Sequence, residues 1–285
     1  MDTIDAPVPC GVLDIAIEAA RAAGAELAAR FGHPHGHDLT APERAAAAAA
    51  AGVLADRRPG DAVRMRLGGD RAGTGGLRWL VEPLDGTVNH RAGVPLYAVS
   101  VACEDTSGTL AGVVHDPVRD HVFAAVRGGA VRINGAPAPG APPDAMADLV
   151  LAGAIACDSE EEARRAGKLH KRLVRRAGGR RALGSAALEL AWTAAGRFGA
   201  CFHEQRLDAP AVDAGLFLCQ RAGLRVHRLP PLEDGLAPRF LAAREPLAAE
   251  LLELIGPGPK ERRRAAQRAP LSAGSVADAM RRRRR

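Results

Sequence analysis

The segment from Trp79 to Asn89, WLVEPLDGTVN, constrains this chain more than any other part of its sequence. An apolar run ends abruptly in two carboxylates, Glu82 and Asp85, which lie three residues apart. Two neighbouring negative charges repel each other, and burial at the end of a strand increases that repulsion. The pattern therefore predicts a positive group between them. Because oxygen ligands suit hard cations, Mg²⁺ is the expected ion.

The rest of the segment adds groups suited to a phosphate ester. Pro83 fixes the backbone between the two acids and has no N–H, which leaves the Leu84 carbonyl free to face the same ion. Gly86 and Thr87 then begin a predicted helix, whose free N–H groups favour a phosphate, and the Thr87 hydroxyl is suited to position a water molecule. The alternative interpretation is a solvated turn in which Asp85 serves only as a helix N-cap.

The spacing of apolar residues predicts an α+β protein, with helices followed by a strand meander and then alternating β and α elements. The predicted elements are helices at 13–32 and 40–55, strands at 62–67, 77–81, 97–104, 109–115, 121–127, 130–133 and 148–154, a helix from 159, a strand at 180–183, a helix at 185–195, a strand at 200–204, a helix at 209–222 and a final αβα run to 255. Capping boxes are predicted at Thr40 and Ser159. We expect an N-terminal α+β half at 1–140 that carries the metal-site motif, a C-terminal α/β half at 141–256 and a disordered basic tail at 257–285.

Composition and charge bound the function classes. The net charge of the 285 residues is +6, but the tail holds ten Lys or Arg and two acids, which leaves residues 1–256 at −2. Aromatic residues are 3% of the chain, so no stacking platform accompanies the tail, and a nucleic-acid partner is not expected. No apolar run reaches the roughly 18–20 residues of a membrane span. Because the five cysteines are dispersed and no signal peptide is evident, we expect a cytoplasmic protein without membrane association.

The segment WLVEPLDGTVN resembles the W-[IV]-D-P-[IL]-D-G-T-x-N signature of the inositol monophosphatase family. The similarity continues through 95–103, 111–137, 184–198 and 222–226, and it spans about residues 12–256. The resemblance implies a five-layered α/β/α/β/α sandwich of the inositol monophosphatase and fructose-1,6-bisphosphatase type. It also implies Mg²⁺-dependent hydrolysis of a small phosphomonoester (an inositol, sugar or nucleotide phosphate) by a metal-activated water, and a homodimer.

The resemblance also assigns roles to individual residues. The family's upstream G-E-E is matched to Gly68-Gly69-Asp70, so that Asp70 would bind metal and hold the attacking water. Glu82 replaces the first Asp of the signature, while Asp85 and Thr87 are retained. Glu43 would orient Thr87 from the second helix. Glu204 matches an acidic residue that contacts substrate.

One family ligand is absent. Counting back from Ala222-Gly223 aligns Pro210-Ala211 with the family's W-D pair, so that Ala211 replaces an Asp that binds the second metal. Asp208, just before the predicted helix, is the candidate substitute ligand. The alternative hypothesis is therefore a degenerate family member without the second metal site, acting in binding or regulation or carrying out altered chemistry.

Overall fold

Two β-sheets and seven α-helices make up the part of the chain that the computed structural model describes, residues 9–32, 40–140, 145–155, 159–204, 207–229 and 239–256. The helices are α1 Val12–Arg30, α2 Ala41–Arg57, α3 Thr87–Arg91, α4 Glu160–Val174, α5 Ala186–Ala194, α6 Ala209–Arg221 and α7 Leu247–Ile255. The strands are β1 Ala62–Met65, β2 Arg78–Asp85, β3 Ala98–Asp105, β4 Gly108–Asp116, β5 His121–Val126, β6 Arg132–Ile133, β7 Ala136–Pro137, β8 Val150–Ala152, β9 Gly179–Arg181, β10 Ala200–Glu204, β11 Arg225–Leu229 and β12 Arg239–Ala243.

The elements stack in five layers, which confirms the expected α+β sandwich. Strands β1 to β7 form a seven-stranded sheet in chain order, and the second sheet has the order β11-β12-β10-β8-β9. Helices α1 and α2 cover the outer face of the first sheet, α5 and α6 lie between the sheets, and α4 and α7 cover the second. Each helix layer buries an apolar or alanine-rich face, and three hydrophobic clusters result.

Strand β2 lies near one edge of the seven-stranded sheet and delivers the signature segment. It pairs in parallel with β1 and antiparallel with β3, and the register with β3 shifts between Glu82 and Asp85. Pro83 lies inside this irregularity, where its missing N–H interrupts no regular ladder bond. The strand is buried from Trp79 to Leu84, as its near-continuous apolar sequence requires.

Most predicted elements are present, but the last segment differs. The expected αβα run is wrong, because β11 and β12 form an antiparallel pair before the single helix α7. Strand β11, RVHRL, lies at the edge of the second sheet, and none of its residues is fully buried. The residues that connect the two strands, 230–238, lie outside the described part of the chain.

The two predicted capping boxes have different outcomes. Ser159 caps α4 as expected, since its side chain accepts the Glu162 amide proton while the Glu162 carboxylate accepts the Ser159 amide proton. Thr40 does not cap α2, because its backbone is helical and its side chain makes no capping hydrogen bond. The Thr40 hydroxyl instead accepts a hydrogen bond from Arg44.

The predicted boundary between the two halves falls between the sheets. The first sheet ends at Pro137 and the second begins at Val150, and the boundary at residue 140 stays a prediction. The tail 257–285 lies outside the described residues. Four cysteines are free thiols in the described part, three of them buried, as expected for structural residues. Among the helices described, none is long and apolar enough to span a bilayer.

The contrast between Ser159 and Thr40 gives a stability test. Replacing Ser159 with Ala removes a capping hydrogen bond and should lower the free energy of unfolding by about 1 kcal/mol. The matched variant Thr40→Ala removes a helix-start hydroxyl that does not cap, and it should cost clearly less. Urea unfolding followed by circular dichroism measures both. Equal losses in the two variants would contradict the assignment.

Candidate functional site

Charged side chains from three elements meet where β1 and β2 end. Glu82 and Asp85 come from β2, Glu43 from the first turn of α2, and Arg66 from the residue directly after β1. The Arg66 amide donates a hydrogen bond to the Val81 carbonyl at 3.3 Å, so the parallel pairing of β1 and β2 continues to this point. That pairing places Arg66 beside Glu82 at one edge of the sheet.

Glu82 is the most confined of these acids. Its side chain is 1% exposed, and neither carboxylate oxygen has a hydrogen-bond partner within the described residues. Burial, followed by the Asp85 charge, raises the pKa of Glu82 to about 8. Burial also raises the pKa of Glu43, against the opposing charges of Arg66 and Arg91. The two glutamates are therefore costly to ionise together unless a cation is close.

Arg66 supplies such a cation. Its Nε lies 3.3 Å from Glu43 Oε1, and its Nη1 lies 3.9 Å from Glu82 Oε2. The Arg66 side chain is 55% exposed, whereas the two carboxylates are buried. The guanidinium thus reaches from solvent to the mouth of the acidic cluster.

Asp85 is held by the second half of the chain. Its Oδ2 accepts hydrogen bonds from the Ser185 hydroxyl at 2.6 Å and from the Ala187 amide at 2.8 Å, at the start of α5. Burial raises the pKa of Asp85, and these two donors act against that effect. Both bonds use one oxygen, so Oδ1 is not engaged by them.

The turn after Asp85 is shaped by a glycine and a hydroxyl. Gly86 has φ 91°, and a Cβ at this position would lie 2.8 Å from the Leu96 carbonyl oxygen, so no larger residue fits. The Thr87 hydroxyl lies 3.3 Å from the Leu84 carbonyl and donates to it. This places Thr87 and the Leu84 carbonyl together, as the sequence predicts, although Glu43 pairs with Arg66 and not with Thr87.

Asp70 lies outside this cluster. It is exposed in the loop between β1 and β2, and its charge is not among those that act on the pKa of Glu82. The position beside Glu82 belongs to Arg66, four residues earlier. The expected role of Asp70 as a metal ligand stays a prediction that requires this loop to move.

Ala211 lies at the start of α6, close to the strands that carry the acids. The Ser100 hydroxyl donates to the Pro210 carbonyl at 3.0 Å, and Ser100 is the cross-strand partner of Glu82. The start of α6 therefore lies over the edge that carries the acids, with Ala211 5% exposed. Asp208 is the exposed N-cap residue of α6, and its side chain makes no capping bond. The structure does not bring it to Glu82.

Glu204 is buried in the second sheet. It is 0% exposed, forms an ion pair with Arg165 of α4 and lies opposite Arg239 on β12. Its charge is thus matched within the protein. The predicted contact with substrate stays a prediction that requires Arg165 to move aside.

Sequence reasoning missed three partners. Arg66, Ser185 and Arg165 complete the electrostatics of Glu82, Asp85 and Glu204, respectively. The Ser185 partner had a local signal, because a serine precedes a predicted helix and N-cap serines lie at helix starts. Arg66 and Arg165 had no local signal in the sequence, since their positions depend on pairing between distant segments.

The donor set fits one hard cation better than two. Glu82, the Leu84 carbonyl and Asp85 offer oxygen atoms only, and the orphaned Glu82 oxygens favour a positive partner. With Ala211 in place of an acid, a second ion would have only Glu82 and Asp85. Arg66 Nη1 lies 3.9 Å from Oε2 of Glu82, one of these donors.

A second group of ligand-type side chains lies in the core. Glu189, Cys201 and His203 have ligand atoms within 4.8 Å of one another, and all three are buried. His203 Nε2 is 2.6 Å from Glu189 Oε2. Ligands of one ion, each about 2.0–2.1 Å from it, lie farther apart than this at tetrahedral angles. The group is a direct His–Glu contact with a buried thiol beside it.

Several known proteins are similar to this chain in fold and in sequence. The inositol monophosphatase family profile matches residues 11–263. An inositol-1-monophosphatase of Mesorhizobium japonicum is 33% identical over 230 residues, which cover 74% of this chain and 83% of that protein. The Nus factor SuhB of Escherichia coli is 30% identical over 222 residues, with the same shares covered.

Solved structures of similar proteins have a similar fold. The extragenic suppressor protein suhB of Bartonella henselae has a TM-score of 0.77 at 25% identity, covering 87% of this chain and 99% of that one. An Anabaena inositol monophosphatase has a TM-score of 0.72 at 27% identity, covering 85% and 94%. The fold thus places this chain in the class of layered α+β proteins to which these structures belong. Within that class, the chain belongs to the inositol monophosphatase family.

The raised pKa of Glu82 predicts how the stability of the metal-free protein depends on pH. The folded protein keeps the Glu82 proton up to about pH 8, whereas the unfolded chain loses it near the ordinary value of 4.5. Between these values the folded state binds more protons, so the free energy of unfolding falls as pH rises. Glu82→Gln should remove the part of this fall that Glu82 contributes and stabilise the protein above pH 8, by on the order of a few kcal/mol.

The measurement is denaturant unfolding in EDTA at a series of pH values. Glu253→Gln, at an exposed position of α7, is the matched control and should leave the pH dependence unchanged. A Glu82→Gln profile that runs parallel to wild type would refute the raised pKa.

Proposed function

We propose that this protein hydrolyses a small phosphomonoester, with one Mg²⁺ bound by Glu82, the Leu84 carbonyl and Asp85. The observation that carries the proposal is the pair of buried Glu82 oxygens, which have no hydrogen-bond partner among the described residues, on the same strand as Asp85, whose two hydrogen bonds use Oδ2 alone. Family membership and the inositol-1-monophosphatase relatives support the reaction class.

The bound ion would hold a phosphate oxygen and lower the pKa of a water molecule for attack on phosphorus. The protein's own groups provide the geometry. Ser185 and Ala187 fix the Asp85 carboxylate, and the Thr87 hydroxyl, which lies beside the Leu84 carbonyl, positions the water. Gly86 allows the backbone to turn so that its amide and that of Thr87 can face the phosphate.

Three further residues complete the proposal. Asp70 would help to hold the attacking water once the loop after β1 closes, and Asp208 would add a metal ligand from the start of α6. Glu204 would contact the substrate. Each requires a movement, because Asp70 and Asp208 are exposed and Glu204 is paired with Arg165.

A second candidate is a member that binds a phosphate ester without turning it over. It is favoured by Ala211, which leaves an apolar side chain where the resemblance places a metal-binding Asp, and by Arg66 beside Glu82. Relatives named Nus factor SuhB carry a name other than that of a phosphatase.

Homodimer formation and cytoplasmic localisation are part of the proposal and follow from the resemblance and from the dispersed cysteines. Light scattering of the purified chain measures the first. The particular ester remains to be identified with a panel of inositol, sugar and nucleotide monophosphates.

Restoring an acid at position 211 separates the two candidates. Phosphate release from the ester panel is measured at millimolar Mg²⁺ for wild type and for Ala211→Asp. We expect slow release by wild type and a gain of about tenfold or more in the variant, because a side chain that binds the ion directly contributes at least as much as the roughly 10–100-fold of groups that only orient such ligands.

Ala209→Asp is the matched control. It adds the same charge to the first turn of α6, but two residues along a helix its carboxylate faces about 200° away. Release by wild type that is absent at every Mg²⁺ concentration, together with a gain in Ala211→Asp, would establish the binding-only candidate. A gain of equal size in the control would show a general effect of charge. Circular dichroism confirms that each variant is folded.

A further inference from the structure

The contacts of Arg66 extend the proposed function, because its guanidinium lies beside Glu82, one of the proposed metal ligands. Its guanidinium lies within 3.3 Å of Glu43 and 3.9 Å of Glu82, on the open side of two buried carboxylates. These carboxylates come from α2 and β2, while Arg66 follows β1. Three separate segments therefore converge on one neutralising contact.

The backbone of Arg66 is fixed, and it places the side chain next to Glu82. Arg66 is the first residue beyond the β1 ladder, and its amide bonds to the Val81 carbonyl, one residue before Glu82. No rearrangement of the sheet is needed for the contact. The side chain itself is more than half exposed, so it can rotate into water without a large desolvation change.

A guanidinium and a divalent ion cannot share Glu82 without strong repulsion. A Mg²⁺ ion would lie about 2.0–2.1 Å from the oxygen it binds, and Arg66 is already close to Glu82 Oε2. Like charges at such a separation repel strongly at a partly buried position. One cation must leave when the other binds.

We propose that Arg66 is a resident counter-cation of the Glu43–Glu82 pair, which competes with the divalent ion and must swing into solvent before that ion binds. The inference rests on the proposed function, because the ion is the one assigned there to Glu82, the Leu84 carbonyl and Asp85. Metal occupancy then depends on an equilibrium between two positions of one side chain.

The test measures Mn²⁺ and Mg²⁺ binding to the full chain by calorimetry. Arg66→Gln removes the charge and keeps a polar side chain, and Arg66→Lys keeps the charge. We expect Arg66→Gln to bind the ion about tenfold more tightly than wild type and Arg66→Lys to stay near wild type. Arg64→Gln is the matched control, since it removes an exposed charge from the same strand, and it should change affinity little.

Unfolding in EDTA tests the counter-cation role without metal. Arg66→Gln should destabilise the metal-free protein, because two buried carboxylates lose their shared cation, and Glu82→Gln in the same chain should reduce that loss. A metal-free stability of Arg66→Gln equal to that of wild type overturns the counter-cation role.

The binding outcomes also separate the two proposals. Equal affinities in wild type and Arg66→Gln overturn the competition and leave the proposed metal site intact. Weaker binding in Arg66→Gln overturns it too, because the guanidinium would then help to hold the site together. Absence of uptake in both proteins overturns the competition together with the proposed metal site.

Discussion

The carboxylate of Asp85 is the interaction on which the site and the arrangement of the two sheets both depend. It ends β2 in the first sheet, and its Oδ2 accepts two hydrogen bonds from the beginning of α5 in the central layer. A carboxylate at a helix N-terminus satisfies free amides and is favoured by the helix dipole. Removing it would leave buried donors unpaired as well as remove a metal ligand, so structure and chemistry share one group.

Electrostatic crowding explains why the remaining acids differ so much in environment. Glu82 is buried and has no hydrogen-bond donor in the part of the chain that the structure describes, whereas Glu204 has an arginine partner. Glu82 carries one methylene more than the Asp in the signature that this segment resembles, and its Oε2 lies 3.9 Å from Arg66 Nη1. A longer acid and an arginine on the neighbouring strand are mutually consistent changes, because each brings its charged group closer to the other.

The features that could be predicted from the sequence are those that depend on a few consecutive residues. The strand predicted at 200–204 is present as β10, and the Ser159 capping box is present because it needs only four consecutive residues. The signature identified Glu82 and Asp85 for the same reason. The Thr40 box failed although its letters fit, since the backbone of Thr40 is helical and cannot cap.

Features that depend on pairing between distant segments were not predictable. Matching Gly68-Gly69-Asp70 to the family's acids assumed an alignment without knowledge of the β1–β2 register. In that register Met65 lies opposite Val81, so Arg66 follows beside Glu82 and Asp70 falls in the loop. The antiparallel pairing of β11 with β12 was missed likewise, because a short strand at a sheet edge is defined by its neighbour rather than by its own sequence.

Asn89 connects the two halves of the chain through its side chain. Its side-chain amide donates to the Leu96 and Leu183 carbonyls, both at 2.7 Å, and Gly184 leaves no room for a Cβ beside it. Together with Asp85, this clamps the turn after β2 to the segment that leads into α5. Local fluctuations that release one segment must release the other, so their amide protons should exchange with solvent as a single cooperative unit.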